Sequence, residues 1–453
     1  MKTKTILFAT FALAAGLYAC NNKNDNLLNP GGEDNAQPTH LELSFSSSNP
    51  NPGTRSTGDN NATEVEAALN TVDVYIFNAN TGLMVTYREL TASDFTQQPS
   101  GATNEDIWRA NTSIGTTTGK KTVFVGVNLP RTFAGGLQNK SLAVFNDAVH
   151  SLTMDELVTG SGLAMFSSSV KTTELRPMGD PDYVNQNVLK IPVKRLVAKV
   201  TVEKAPNMTV NAPGDIGDLT FAINNVNKKF YLLPKLDGSD PNYQPNSWNP
   251  LEFVNAANTP GISGDGYIAV NAANSGVRDL NALYATENSS VNHWKEEITR
   301  VTVRTTFTPH VITRKNGANF EQVPNPNSTP ETFWTVILPN GYQEFFLAES
   351  HATDYAAVNP GSFKSAPYIN GYCYYDMFLN RDGKFGDTNV PNKKWDVFRN
   401  DYYRCRITRI LAPGRPSENV VDPKTPPETV TDIIYDIHIL FWNLIQDDYV
   451  LEP

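Results

Sequence analysis

The chain has 453 residues, 40% of them hydrophobic, and a formal net charge of −10 at pH 7. That length can bury two or three ordinary cores, and plentiful Gly and Pro with few long 3.6-period segments favour an all-β reading over a helical one. The acidic balance, with Lys and Arg scattered rather than striped, argues against a nucleic-acid footprint.

The N-terminus carries Lys2 and Lys4, an apolar run from Ile6 to Ala15, and Leu17-Tyr-Ala-Cys20. This is a secretory pattern, and the run is too short to span a bilayer. A small residue before Cys, with Leu at this spacing, resembles a bacterial lipobox, which would make Cys20 a lipidation site within a signal segment 1–20. Ordinary signal cleavage nearby is the alternative. No other segment reads as membrane-crossing, so anchorage rests on Cys20. Residues 21–39 are polar and read as a spacer.

His40 to Ser48 alternates, with Leu41, Leu43 and Phe45 on one face, and is a first strand. The loop that follows, Asn49 to Asn61, has Arg55 and then Ser56 in its middle, where a protease would meet extended backbone. Thr63 to Glu66 fits a capping box before a short helix. Thr71–Phe77, Leu83–Arg88 and Lys121–Asn128 read as strands, Ser141–Val158 as the main helical region, and Val188–Glu203 as a returning strand. One β-rich unit, 56–205, closes there.

A second unit, 206–412, has the same grammar. Asp218–Asn224 and Lys229–Leu233 read as paired strands, followed by Asn/Pro/Gly-rich surface loops to about 290. Strands resume at Ile298–Phe307, Phe333–Leu338, Glu344–Ala348, Gly371–Leu379 and Tyr402–Leu411. Two β-sandwiches follow from this count. The tail, 413–453, holds a Pro-rich tether and an apolar strand with no evident partner. Its one face carries Ile433, Tyr435, Ile437, Ile439 and Phe441; Trp442 lies on the other. Such a strand must be covered by its own chain or by another.

Chemical motifs are sparse. Gly115-Thr-Thr-Thr-Gly-Lys-Lys-Thr122 lacks one residue between its glycines, has Lys121 where Ser or Thr is needed, and precedes a strand, so it reads as a polar turn rather than a phosphate loop. The six histidines are dispersed, which supports no metal site, and no cofactor motif is complete. Asn380 to Asp387 has its oxygens at the wrong positions for an EF-hand and reads as a turn. No G-x-S-x-G elbow or assignable carboxylate pair supports an enzyme. Cys373 and Cys405, in an exported chain, either pair as a disulfide or remain buried thiols. The aromatic runs at 371–378 and 395–403 are core residues or, alternatively, a platform for sugar stacking.

The ordered set of signatures resembles the Bacteroidales type V fimbrial subunits, or fimbrillins, of the minor-fimbria shaft type. It comprises the lipobox ending at Cys20, an early strand followed by an exposed Arg, and Val72-Asp-Val-Tyr-Ile-Phe77 with its Asn-Thr-Gly82 turn. It continues with Val193-Lys-Arg-Leu-Val-Ala-Lys-Val200 and Phe221-Ala-Ile-Asn with Lys-Lys-Phe-Tyr-Leu, then Phe398-Arg-Asn-Asp-Tyr-Tyr-Arg-Cys-Arg-Ile-Thr-Arg-Ile410, Gly414-Arg-Pro, and the tethered strand to Trp442. The resemblance implies two transthyretin-like β-sandwich domains and a C-terminal donor-strand appendage. It further implies an outer-membrane lipoprotein precursor cut by a trypsin-like protease between Arg55 and Ser56, which removes residues 21–55 with the strand bearing Leu41, Leu43 and Phe45. The donor strand of another fimbrial subunit, here Ile433 to Trp442, would then fill the vacancy. Accessory tip and anchor subunits are further partners of such a polymer. A monomeric surface lipoprotein that binds glycans is the alternative, and it has no use for a tethered strand.

Overall fold

A computed structural model of the chain describes residues 26–27, 36–47, 63–98, 107–242, 253–254, 265–273, 281–380, 394–419, 422–427 and 433–441. Cys20, Arg55, Ser56 and Trp442 lie outside the described residues. The architecture is all-β: sheets packed as sandwiches, with a few short helices between and beside them.

The first unit is built around Thr71–Asn78, which is antiparallel to Met84–Thr91 on one edge and to Gly119–Val127 on the other. Both of its faces are buried. Val72, Val74 and Ile76 join one core with Val123, Val125 and Val127, while Tyr75 and Phe77 join a second with Phe124, Phe145 and Phe166. A strand apolar on both faces needs a layer on each side. One layer contains the first strand, Pro38–Ser47; the other contains the short helices and residues of the second unit, Phe230, Leu232 and Tyr402. The capping box at the first helix, Glu64–Ala67, forms as expected: Thr63 Oγ1 accepts from the Glu66 N–H at 3.2 Å, and the Glu66 carboxylate accepts from the Thr63 N–H at 2.7 Å.

The second unit stacks two sheets. One runs Ala282–Ala285, Ala198–Val210, Asp401–Ile410, Ile433–Phe441 in spatial order. In the other, Arg300–Pro309 lies between Thr220–Asn224 and Tyr372–Phe378. Val200, Val202, Phe221, Ile223, Val301 and Ile407 fill the space between them.

Several expectations need correction. The run 188–203 is two strands, Val188–Arg195 in the first unit's sheet and Ala198–Val210 in the second's, because the chain turns at Leu196 and Val197, whose apolar side chains plug the layer between the units. Ser141–Val158 is two helices, Leu142–Asp147 and Met154–Leu157, around the strand Val149–Ser151. That strand pairs with Lys229–Tyr231, so 229–233 does not pair with 218–224. Between the two the chain bends at Asn225, whose side-chain amide donates to the carbonyls of Lys295, Glu296 and Ile298, and then forms a two-residue strand, Val226–Asn227, paired with Phe253–Val254. The spacer holds a two-residue strand, Asn26–Leu27, on Met84–Thr91. The terminal strand is not unpaired: Ile433–Phe441 is antiparallel to Asp401–Ile410 of its own chain. Cys373 and Cys405 are free, buried thiols packed into the core between the two sheets. Apolar surroundings push the Cys405 thiol well above its usual value, which keeps it protonated and inert.

Candidate functional site

The first strand is an interior strand. On one edge Val188–Arg195 runs parallel to it, from Val188 opposite Glu42 to Val193 opposite Ser47. On the other edge two shorter antiparallel strands share its length, Ile114–Thr117 against its start and Ile107–Ala110 against its end. Alternation sends Leu41, Leu43 and Phe45 inward, and they are 0%, 1% and 2% exposed. They rest in the core formed by Val72, Val74, Ile76, Val125, Ile191 and Val193, with the Phe45 ring edge-on to Phe95 at 5.2 Å. Each anchor contributes roughly 1.5–3 kcal/mol by burial.

At the start of the groove stands Asn187, wholly buried. Its side-chain amide donates to the main-chain carbonyls of His40 at 2.8 Å and Arg176 at 3.1 Å and to Thr39 Oγ1 at 3.1 Å. Its side-chain oxygen accepts from the Arg176 N–H at 2.9 Å, and its own main-chain carbonyl accepts from the Glu42 N–H at 2.7 Å. Sequence reasoning did not single out Asn187 or the two short flanking strands. An Asn before a strand reads as an ordinary turn residue, and Ile107–Ala110 and Ile114–Thr117 are too short for their alternation to stand out.

On the face of Thr71–Asn78 turned away from the groove, Asp73 is buried and accepts from the Tyr87 hydroxyl at 2.7 Å and from Arg131. Burial pushes its carboxyl above the usual range in spite of those partners. Glu66 lies in the short helix that follows the loop containing Arg55. It pairs with Lys199 of the second unit at 2.8 Å, the two side chains being 2% and 1% exposed, and accepts from the Tyr284 hydroxyl at 2.7 Å. Burial acts to raise the Glu66 carboxyl, but the Lys199 charge and hydrogen bonds from Lys199, Thr63 and Tyr284 outweigh it and hold the group below its ordinary value.

The terminal strand occupies a different position. Among the described residues it is the outermost strand of its sheet with one neighbour, and its register sets Tyr435 opposite Ile407, Ile437 opposite Cys405, Ile439 opposite Tyr403 and Phe441 opposite Asp401. The described parts of its tether dock on the second unit: Tyr374 and Arg415 exchange main-chain hydrogen bonds at 2.9 and 2.8 Å, the Tyr368 hydroxyl donates to the Gly414 carbonyl at 2.8 Å, and the Lys295 N–H donates to the Thr425 carbonyl at 2.9 Å. Glu203 receives Arg404 in a two-point pair at 2.9 Å and Arg406 at 2.7 Å on the adjoining strands.

The other motifs take ordinary roles. Lys121 is buried with its ammonium on the Thr118 carbonyl at 2.8 Å, facing no open loop. Of the two aromatic runs, Tyr402 and Tyr403 are fully buried and Tyr375 and Phe378 nearly so, which makes these four core; Tyr374, Trp395 and Phe398 are half-buried and Tyr372 is exposed. Among the described residues no group of three or more His, Cys, Asp or Glu could hold a metal ion, and no helix is long and apolar enough to cross a membrane.

Residues 39–225 match the family model described as major fimbrial subunit protein (FimA), and residues 366–448 match that of type IV major fimbrial subunit protein, fimbrillin, C-terminal. Together the two span more than half of the chain. No curated protein matches. Among solved structures, a "putative cell adhesion protein" from Parabacteroides distasonis is 15% identical with a TM-score of 0.47, over 90% of this chain and 98% of that one. The tip fimbrial protein Mfa3 from Porphyromonas gingivalis, C-terminally truncated, is 15% identical with a TM-score of 0.39, over 89% of this chain and 100% of that one.

Proposed function

This chain belongs to the fimbrillin family of fimbrial subunits, and from that premise we propose that it polymerises by proteolysis-dependent strand exchange. As a fimbrial subunit it is a structural protein of a cell-surface pilus whose partners are other fimbrial subunits. In our reading it is exported as an outer-membrane lipoprotein through Cys20 and cut after Arg55 by a trypsin-like protease. Losing everything up to Arg55 strips off the lipid and the first strand together. The terminal strand of a second copy then takes the vacated place, and the fibre serves adhesion. The face bearing Ile433, Tyr435, Ile437, Ile439 and Phe441 enters the groove.

One observation carries the reading. The strand bearing Leu41, Leu43 and Phe45 lies in the interior of its sheet, yet it joins the remaining fold only through the loop that contains Arg55. Cutting that loop leaves the strand held by noncovalent contacts alone. Its loss exposes two rows of main-chain hydrogen-bonding groups and an apolar trough, the surface that β-augmentation fills. The exchange supplies five apolar positions for three, before association costs are subtracted.

The test mixes purified full-length protein with a trypsin-like protease and follows SDS-resistant ladders. Ladders are expected with the wild type and none with Arg55→Ala. A wild type that is cut after Arg55 and stays monomeric overturns the proposal.

A further inference from the structure

Resting on that reading, we infer that Asn187 is a main-chain latch that captures the incoming strand and fixes its direction. The groove has to accept two strands with unrelated side chains, Pro38–Ser47 first and the terminal strand afterwards. A residue that serves both must recognise what they share, which is backbone.

Asn187 is placed to do so. Through its side-chain amide and its own carbonyl it touches the first strand at the His40 carbonyl and the Glu42 N–H, both main-chain groups. Its remaining bonds, to the main chain of Arg176, hold the amide in place whether or not the groove is filled. The one side-chain contact is Thr39 Oγ1, which also donates to the Arg176 carbonyl at 2.6 Å. The stretch Asp432 to Leu444 contains no proline, so it can donate an N–H at any register, and no Ser or Thr to replace Thr39.

The latch is directional. It needs a carbonyl and, two residues later, an N–H on the same strand edge, the arrangement of a strand parallel to Val188–Arg195. In a reversed strand the carbonyl and N–H meeting that point belong to a single residue, with a different spacing along the edge. The donor therefore runs in the direction of the strand it replaces, with its N-terminal end beside Val188.

The experiment uses full chain cut after Arg55 and fluorescent peptides of residues 36–47 and 432–444. Asn187→Ala should weaken both peptides by about ten-fold or more. An ester in place of the His40–Leu41 amide weakens the His40 carbonyl as an acceptor and also removes the Leu41 N–H on the edge facing Ile114, so the ester should weaken the 36–47 peptide in both proteins but by clearly less in Asn187→Ala than in wild type. Loss confined to the 36–47 peptide, or no loss in either, overturns the latch. If wild type binds 36–47 but not 432–444, the donor reading falls and the latch is judged on 36–47 alone. Should Asn187→Ala fail to fold, Val188→Cys in an otherwise unchanged chain answers the question of direction. A short bismaleimide should join it to a cysteine added at the N-terminal end of the 432–444 peptide, and joining to one at the C-terminal end overturns the proposal.

Discussion

The first strand and the terminal strand are both alternating apolar ribbons, but they sit in their sheets differently. Pro38–Ser47 has neighbours on both edges and three anchors in a closed core. Among the described residues, Ile433–Phe441 has a strand neighbour on one edge only. Removing an interior strand opens a slot that only another strand can refill, whereas removing an edge strand moves the edge inward by one position, to Asp401–Ile410. The molecule thus keeps its less replaceable strand next to the loop that contains Arg55 and its more removable strand at the outside of a sheet. That asymmetry is what the proposed exchange, losing one strand and lending another, would require.

Leu43→Asp places an unpaired carboxylate in the core, which costs several kcal/mol, and should prevent the first unit from folding; Leu43→Ala should cost about 2–5 kcal/mol. Both are read by urea denaturation of the uncut protein. A folded Leu43→Asp variant of near wild-type stability would mean that the first strand is not part of the core. The counterpart is deletion of residues 430–453, which should leave a folded monomer that can accept but not donate. Sedimentation and thermal unfolding check it, and failure of the truncated chain to fold would assign the terminal strand to its own unit permanently.

Strong alternation made both ribbons legible from residues alone, since Leu41, Leu43 and Phe45 announce a buried face wherever the strand ends up. Their partners were not legible. A period of two says which side chains share a face but not which edge accepts the strand, so the pairing of Ile433–Phe441 with Asp401–Ile410 needed the structure. The same limit applies at 188–203, where apolar residues run on through Leu196 and Val197 while the alternation changes phase, from Leu189, Ile191 and Val193 to Ala198, Val200 and Val202, and the two residues at the change are buried in the layer between the units rather than within a strand. Asn187 was invisible for a third reason: its side-chain amide reaches the main-chain carbonyl of His40, 147 positions earlier, and main chain leaves no trace in composition.

An emptied groove can wait for a donor only if its walls stay put, and the Glu66–Lys199 pair bears on that. Replacing Glu66 with Gln leaves the Lys199 ammonium buried beside a neutral amide and should cost about 3–5 kcal/mol, more than any surface change. The pH dependence has a definite sign. The folded Glu66 carboxyl titrates below its ordinary value, so its contribution is complete above about pH 4.5 and is lost as the pH falls through the folded value. Urea midpoints measured from pH 7 down to pH 3 should show an acid limb that is shallower in Glu66→Gln. An unchanged limb would assign acid lability to other carboxylates.

The smallest expected effect comes from Arg109 and Glu42, which join the first strand to Ile107–Ala110 at 2.9 Å with 59% and 41% of their side chains exposed. Water screens the pair, and holding two mobile side chains in one geometry offsets much of the attraction, so Arg109→Ala should change the stability of the uncut protein by less than about 0.5 kcal/mol. Its use is as a contrast with Leu43→Ala on the same strand. If the first strand is held by its buried face and its ladder, the strand should leave the cut Arg109→Ala protein at the wild-type rate and faster in Leu43→Ala. Release of a fluorescent label on the first strand after cleavage measures both rates. Equal acceleration in the two variants would mean that surface charge, rather than the apolar trough, sets how long the first strand remains.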